Sequence, residues 1–260
     1  MTKRFGFTLA EVLITLGIIG VVAAMTIPTL IANTNGAKFR SQFKKTISTL
    51  NQAGLMAQAQ YDFDYAGTSV PCAQGTTQGV ITLEHPDTTM SFCAILNGTL
   101  TGQTYQGKVT NITRQSTKPD GTTEAIAYSI QNQAQGAIDA AYGDYLAYTL
   151  ADGSIVAFNA GAVACELPIG QQMNGDWIDN HPVCRGFIDV NGATLPNKAV
   201  TCTPTAAGSG AGATASTDVE KPCIVKNNAQ NMTDVFPIVF HDATVEPASD
   251  AAKYVLTSAK

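Results

Sequence analysis

Residues Lys3–Ile14, KRFGFTLAEVLI, place two basic side chains directly before a long apolar run. The run extends from Phe7 to Ile27 and contains a single ionisable residue, Glu11. As an α-helix it would be about 31 Å long, which matches the hydrocarbon core of a bilayer. Basic residues that flank a membrane helix stay on the cytoplasmic side. We therefore predict a cytoplasmic amino terminus and place the chain after Ile27 on the opposite side of the membrane.

Glu11 separates this run from ordinary apolar segments. Three such segments fit its length: a secretory signal peptide cut after Val22-Ala23-Ala24, an uncleaved anchor and a buried core helix. A carboxylate inside a membrane helix costs roughly 2.5–3.5 kcal/mol, so it is expected to have a function and a partner. Glu11 therefore argues against all three.

The same residues resemble the prepilin-type cleavage and methylation motif of type IV pilins and type II secretion pseudopilins. The resemblance implies that a prepilin peptidase cuts after Gly6 and that the new amino terminus, Phe7, is methylated. Glu11 becomes the fifth residue of the mature chain and corresponds to the family's glutamate. The implied location is the bacterial inner membrane, with a single span and a periplasmic head, and then a pilus or pseudopilus.

The physical properties of the motif favour polymerisation. Cleavage at Gly6 leaves a chain that begins with an apolar helix, which can leave the bilayer only by packing among copies of itself. In that core Glu11 can meet the α-ammonium of Phe7 in a neighbour, which neutralises both charges and fixes the register. The predicted function is a structural filament subunit whose partners are itself, related pilins, the peptidase and methyltransferase, and an inner-membrane assembly platform. The alternative is a membrane-anchored or secreted binding or adhesion protein that does not polymerise.

Three residues are expected to disturb the apolar helix. Proline lacks the backbone N–H, and glycine lowers helix stability by about 1 kcal/mol. We predict a bend or a melted stretch around Gly17, Gly20 and Pro28, as the resemblance to assembled filaments also implies. The alternative is that these residues are simply tolerated, as they often are in membrane helices.

Beyond Pro28 the chain carries one apolar helical face. Its members recur at steps of three and four residues: Phe39, Phe43, Ile47, Leu50, Gly54 and Ala57. The sequence therefore divides into a leader (1–6), an apolar helix (7–28), an amphipathic continuation (29–61) and a head (62–260).

The head is predicted to be rich in strands. After Tyr61 the sequence is dominated by Gly, Thr, Gln, Asn and Ser with short apolar alternations. The best hairpin joins residues 145–150 to 155–158 through Asp152-Gly153. Further strands are predicted at 106–113, 125–130, 183–190 and 234–241, with a turn at 118–121. The predicted fold is α+β and pilin-like, with the long helix packed on an antiparallel sheet.

Composition and charge exclude some functions. The 260 residues are 45% hydrophobic and 13% charged, and the formal net charge is −5. A nucleic-acid partner would need clustered Lys and Arg, so none is predicted. No catalytic triad is recognisable, and we predict that the protein is not an enzyme.

Six cysteines without any Cys-x-x-Cys spacing predict disulfides in an oxidising compartment. Many pairings are possible, and we choose nearest neighbours, since each closes a loop worth about 3 kcal/mol. The third pair would bracket an insertion at about 198–231 that is rich in Gly, Ala, Ser and Thr. The chosen pairs are Cys72 with Cys93, Cys165 with Cys184, and Cys202 with Cys223.

Four polar residues near the insertion are candidate metal ligands. Residues 186–197 followed by 233–236 resemble a C-terminal element of some prepilin-like proteins, in which the two pieces lie closer together. Asp189, Asn191, Asn197 and Asp234 offer the oxygen atoms that Ca²⁺ prefers. The alternative is an ordinary hydrogen-bonded turn, and no other cofactor is predicted.

Overall fold

The computed structural model describes residues 8–72, 84–203, 223–225 and 232–258, apart from the side chains of 29 and 31–33. One helix, α1 (Leu9–Tyr61), accounts for 53 residues and is about 80 Å long. It ends where Asp62 adopts a left-handed conformation (φ 68°) and donates its N–H to the carbonyl of Gln58. The predicted long helix is confirmed.

The first part of α1 lies clear of the head. Leu9–Pro28 is long and apolar enough to cross a membrane, and none of it is buried in the structure. The melted stretch predicted around Gly17, Gly20 and Pro28 is not seen, because Pro28 lies inside the continuous helix. A proline removes only one N–H from the hydrogen-bond ladder, and the turns on both sides keep theirs. The predicted bend stays a prediction.

The head contains a six-stranded antiparallel sheet with the order β1-β4-β5-β6-β7-β8, and β2 and β3 form a separate hairpin. The predicted α+β fold is confirmed, as is the hairpin across Asp152-Gly153. The strands are β1 (Thr104–Lys108), β2 (Thr113–Thr117), β3 (Thr123–Ala127), β4 (Leu146–Thr149), β5 (Ile155–Phe158), β6 (Arg185–Asp189), β7 (Val235–His241) and β8 (Thr244–Pro247).

The prediction of one strand over 106–113 is wrong. β1 ends at Lys108, Val109–Asn111 form a 3-10 turn, and β2 then pairs with β3 instead of the main sheet. The β1-β4 ladder is already irregular before its end, since a register shift precedes Gly107, which has φ +81°. The strand predicted at 183–190 likewise begins only at Arg185, because Pro182–Cys184 form a 3-10 turn.

The second part of α1 packs on one face of the sheet. Phe43 stacks on Phe236 with ring centroids 4.3 Å apart, and every member of the predicted apolar face is buried. Gly54 allows the closest approach, since a Cβ there would lie 2.6 Å from the carbonyl oxygen of Ala243. The opposite face of the sheet is covered by a second cluster that includes Tyr128 and Phe187. Burial on both faces explains why β5 and β7 are almost entirely apolar.

The described part of the head also contains three short helices: α2 (Phe92–Thr99), α3 (Gly175–Asn180) and α4 (Asp250–Thr257). Helices α2 and α4 contact α1, whereas α3 lies in the long connection between β5 and β6.

The disulfides pair nearest neighbours along the chain, as chosen from the sequence. Their Cα atoms are 5.1 to 5.7 Å apart, within the range that a disulfide spans. Most of the predicted insertion lies outside the described residues. At its base, Thr203 donates its N–H to the carbonyl of Ile224 beside the third disulfide. The pairs are Cys72–Cys93, Cys165–Cys184 and Cys202–Cys223.

Candidate functional site: an apolar helix with one carboxylate

Glu11 is held at the first turn of α1 by Thr8. Its Oε2 accepts hydrogen bonds from the backbone N–H and the hydroxyl of Thr8, both at 2.8 Å. The N–H of Glu11 donates in return to the Thr8 hydroxyl at 3.3 Å. This reciprocal capping box directs the carboxylate towards the start of the helix. The predicted processing residues Gly6 and Phe7 lie outside the described residues, directly before this cap.

The surface around Glu11 is apolar. Threonine hydroxyls on this part of the helix are satisfied locally; Thr15, for example, donates to the carbonyl of Glu11 at 2.9 Å. Among the described side chains of Leu9–Pro28, Glu11 is the one ionisable group. The exposed apolar side chains are Leu9, Val12, Leu13, Ile14, Leu16, Ile18, Ile19, Val21, Val22, Met25 and Ile27, and Leu30 follows one turn later.

Two further apolar side chains point away from the head near the other end of α1. Leu55 is 60% exposed and Met56 is 41% exposed, although the neighbouring Ala53, Gly54 and Ala57 are buried. The apolar periodicity of residues 39–57 marks only the face that the head covers, so it does not indicate these two side chains. Their three- and four-residue offset from Gln52, which is also exposed, could have indicated a second, outward face.

A separate polar cluster joins β6 and β7. Both oxygens of Asp234 accept backbone hydrogen bonds, from Asn197 at 2.9 Å and Lys198 at 2.6 Å. Asp189 accepts from the hydroxyl of Tyr128 at 2.5 Å and from the N–H of Asn191 at 3.2 Å. The structure thus brings together the four predicted polar residues and adds Tyr128, which no local sequence pattern indicated.

Burial dominates the electrostatics of this cluster. It raises the pKa of Asp234 to about 6, against the hydrogen bonds from Lys198 and Asn197. Burial also raises the pKa of Asp189 well above its usual range, and the nearby charge of Asp234 adds to the effect. The pKa of the Tyr128 hydroxyl rises as well, first through burial and then through the charge of Asp189.

The residues fit a cation only in part. The Oδ1 atoms of Asn191 and Asn197 are buried and have no hydrogen-bond partner among the described residues, as unfilled ligand positions would. However, every oxygen of the two carboxylates already accepts a hydrogen bond. Ca²⁺ needs about six to eight oxygen ligands. The hydrogen-bonded turn is therefore the simpler interpretation, and calcium binding stays a prediction.

Comparison with known proteins identifies the amino-terminal segment. Residues 1–27 match the family model of the prokaryotic N-terminal methylation motif. This is the prepilin-type motif of type IV pilins and pseudopilins, and it includes Glu11 and most of the exposed apolar helix. No curated protein and no solved structure matches the chain.

Proposed function

We propose that this protein is a structural subunit of a type IV filament. It enters the inner membrane as a prepilin, is cut after Gly6, is methylated on Phe7 and polymerises through α1. One observation carries the proposal: Leu9–Pro28 is an exposed apolar helix with a single carboxylate, none of it buried by the head, within a segment that matches the prepilin-type motif.

The exposed helix requires an apolar environment. Burying one Val, Leu, Ile or Met side chain is worth roughly 1.5–3 kcal/mol. Twelve such side chains are exposed between Leu9 and Leu30, so their combined transfer free energy is tens of kcal/mol. Only a bilayer or a bundle of similar helices meets this need, and a subunit that passes from one to the other keeps the helix buried throughout.

Glu11 favours the transfer of the helix from the bilayer to the filament. In the single chain its partner is the neutral cap formed by Thr8. In a filament the α-ammonium of a neighbouring Phe7 would replace these neutral donors with a full positive charge, so that Glu11 gains an ion pair. Exchange of Thr8 for that ammonium favours the assembled state and permits only one axial register.

The head fits a structural role in an oxidising compartment. Three disulfides connect its loops, and two of them, Cys72–Cys93 and Cys165–Cys184, are buried. A large head stapled in this way favours a pilus displayed outside the cell over a short periplasmic pseudopilus. We propose the prepilin peptidase and methyltransferase, an assembly platform and other pilins as its partners.

Electron microscopy of filaments tests the proposal. Wild-type protein co-expressed with a peptidase and an assembly platform should form filaments, whereas Glu11→Ala should insert in the membrane and yield few or none. Thr15→Ala is the matched control, because its hydroxyl bonds only to its own helix. Wild-type filament yield from Glu11→Ala would exclude the register mechanism. Processed wild-type protein that stays monomeric would favour an anchored binding protein instead.

A further inference from the structure

The connection between β5 and β6 forms a pocket of about 420 Å³. Ligand pockets in proteins typically measure about 300–1,000 Å³, so this one could hold a mono- or disaccharide-sized molecule. Trp177 and His181 form one wall. Four carboxamide side chains form most of the rest: Gln171, Gln172, Asn174 and Asn180.

The pocket is built on a fixed support. The Cys165–Cys184 disulfide closes the segment that carries it. Helix α3 is capped by the Oδ1 of Asn174, which accepts the N–H of Trp177 at 2.9 Å. The guanidinium of Arg185 donates two hydrogen bonds to the carbonyl of Ile178, at 3.0 and 3.1 Å. These contacts fix the backbone of the pocket before a ligand binds.

Several polar groups in the lining are available to a ligand. Among the described residues, the side chains of Gln171, Gln172 and Asn180 have no hydrogen-bond partner. Trp177 is 4% exposed, and its indole Nε1 is buried without a partner. The ring of His181 stacks on the indole with centroids 4.2 Å apart, which gives the pocket a flat aromatic wall.

The charge of the lining restricts the ligand. Asp176 is the one carboxylate among the described lining residues, and no Lys or Arg is among them. A phosphorylated, sulfated or sialylated ligand would thus meet no fixed cation. A carboxamide presents both a donor and an acceptor, as does a hydroxyl group, so the two can exchange paired hydrogen bonds. An uncharged, polyhydroxylated ring fits both the amides and the aromatic wall.

The segment that carries the pocket begins beside the residues that follow the carboxyl end of α1. Ala164 donates its N–H to the carbonyl of Thr68, and Cys165 donates to that of Tyr65. The two acceptors lie four and seven residues after the last residue of α1, Tyr61. A subunit anchored through Leu9–Pro28 would therefore present this segment outward.

We propose that this pocket is a binding site for uncharged carbohydrate. The site requires only the folded head, so it does not depend on the proposed polymerisation. The test uses full-length, processed protein in a non-glycosidic detergent, because a sugar-based detergent would compete. The probe is a glycan array that carries neutral, sialylated and sulfated oligosaccharides, followed by calorimetry with the neutral glycan bound best.

We expect binding to neutral glycans, and a loss of affinity of about tenfold in Asn180→Ala and in Gln172→Ala. Gln135→Ala, an exposed carboxamide outside the pocket, is the matched control and should bind as the wild type does. Peptide mapping of Cys165–Cys184 in each variant checks the fold. Absence of glycan binding, a preference for charged glycans, or wild-type affinity in both pocket variants would overturn the proposal.

Discussion

The hydroxyl of Tyr128 donates a hydrogen bond to Oδ2 of Asp189 across 2.5 Å, although 61 residues separate them in sequence. Tyr128 follows β3, whereas Asp189 ends β6. The bond therefore connects the segment that covers the second face of the sheet to one of its central strands. Both residues are almost completely buried, so neither can exchange its partner for bulk water.

Tyr128→Phe should destabilise the head. The substitution keeps the ring but leaves the buried Asp189 with fewer donors, and an unsatisfied buried group costs roughly 1–3 kcal/mol. Chemical denaturation of the full chain in detergent measures the loss. Tyr254→Phe is the control, since no hydrogen bond of the Tyr254 hydroxyl connects it to the described residues, and its effect should stay below about 0.5 kcal/mol. Equal losses in the two variants would contradict a specific role for the Tyr128 bond.

The stability of the head should fall as the pH rises through the range in which Asp234 ionises. Burial raises the pKa of Asp234 to about 6 from its ordinary value of 3.8, so the folded state binds this proton more tightly than the unfolded state. Stability from this group is thus present at acid pH and is lost as the pH approaches and passes 6. Thermal unfolding of the wild type and of Asp234→Asn should diverge between pH 4 and 7, by up to about 3 kcal/mol. Parallel profiles would show that Asp234 does not titrate in this range.

Calcium should leave the thermal midpoint of the wild type unchanged. The four carboxylate oxygens of Asp189 and Asp234 already accept hydrogen bonds, so the two carboxylates need no cation. Thermal unfolding is measured once in millimolar CaCl₂ and once in excess EDTA, and the two midpoints are compared. A midpoint that calcium raises in the wild type but not in Asn197→Ala would establish a calcium site instead.

The sequence predicts features that depend on neighbours along the chain. The spacing of Phe39, Phe43, Ile47 and Leu50 predicts the face of α1 that the head covers, and all four are buried. The hairpin across Asp152-Gly153 follows from local turn chemistry in the same way.

Contacts between distant segments are not visible in such patterns. Nothing near Tyr128 indicates Asp189, and no local pattern shows that β2 leaves the main sheet to pair with β3.

Gly54→Ala should destabilise the packing of α1 on the head. A Cβ would lie 2.6 Å from the carbonyl oxygen of Ala243 and 2.9 Å from the ring of Tyr65, so the helix must shift. We expect a loss of about 1–3 kcal/mol from overpacking, which exceeds the gain of about 1 kcal/mol in helix propensity. Gly17→Ala is the control, because nothing lies within 4 Å of a Cβ there. A Gly54→Ala head as stable as the wild type in chemical denaturation would show that α1 can move away from β8 freely.

Processing after Gly6 should give a mature chain that begins at Phe7 and carries one extra methyl group. The match of residues 1–27 to the methylation motif supports this cut, and the cap formed by Thr8 and Glu11 begins directly after it. Removal of Lys3 and Arg4 changes the formal net charge from −5 to −7, so the mature form should also focus at a lower pH. Intact-mass and amino-terminal peptide analysis of protein purified from cells with a prepilin peptidase measures the new terminus and the extra methyl group.

Gly6→Val should remain uncut, because a branched side chain replaces the smallest residue at the cleavage site, while Gly17→Ala should be processed normally. A terminus at Met1 or Met25 in the wild type would remove the basis for assembly through Glu11 and Phe7.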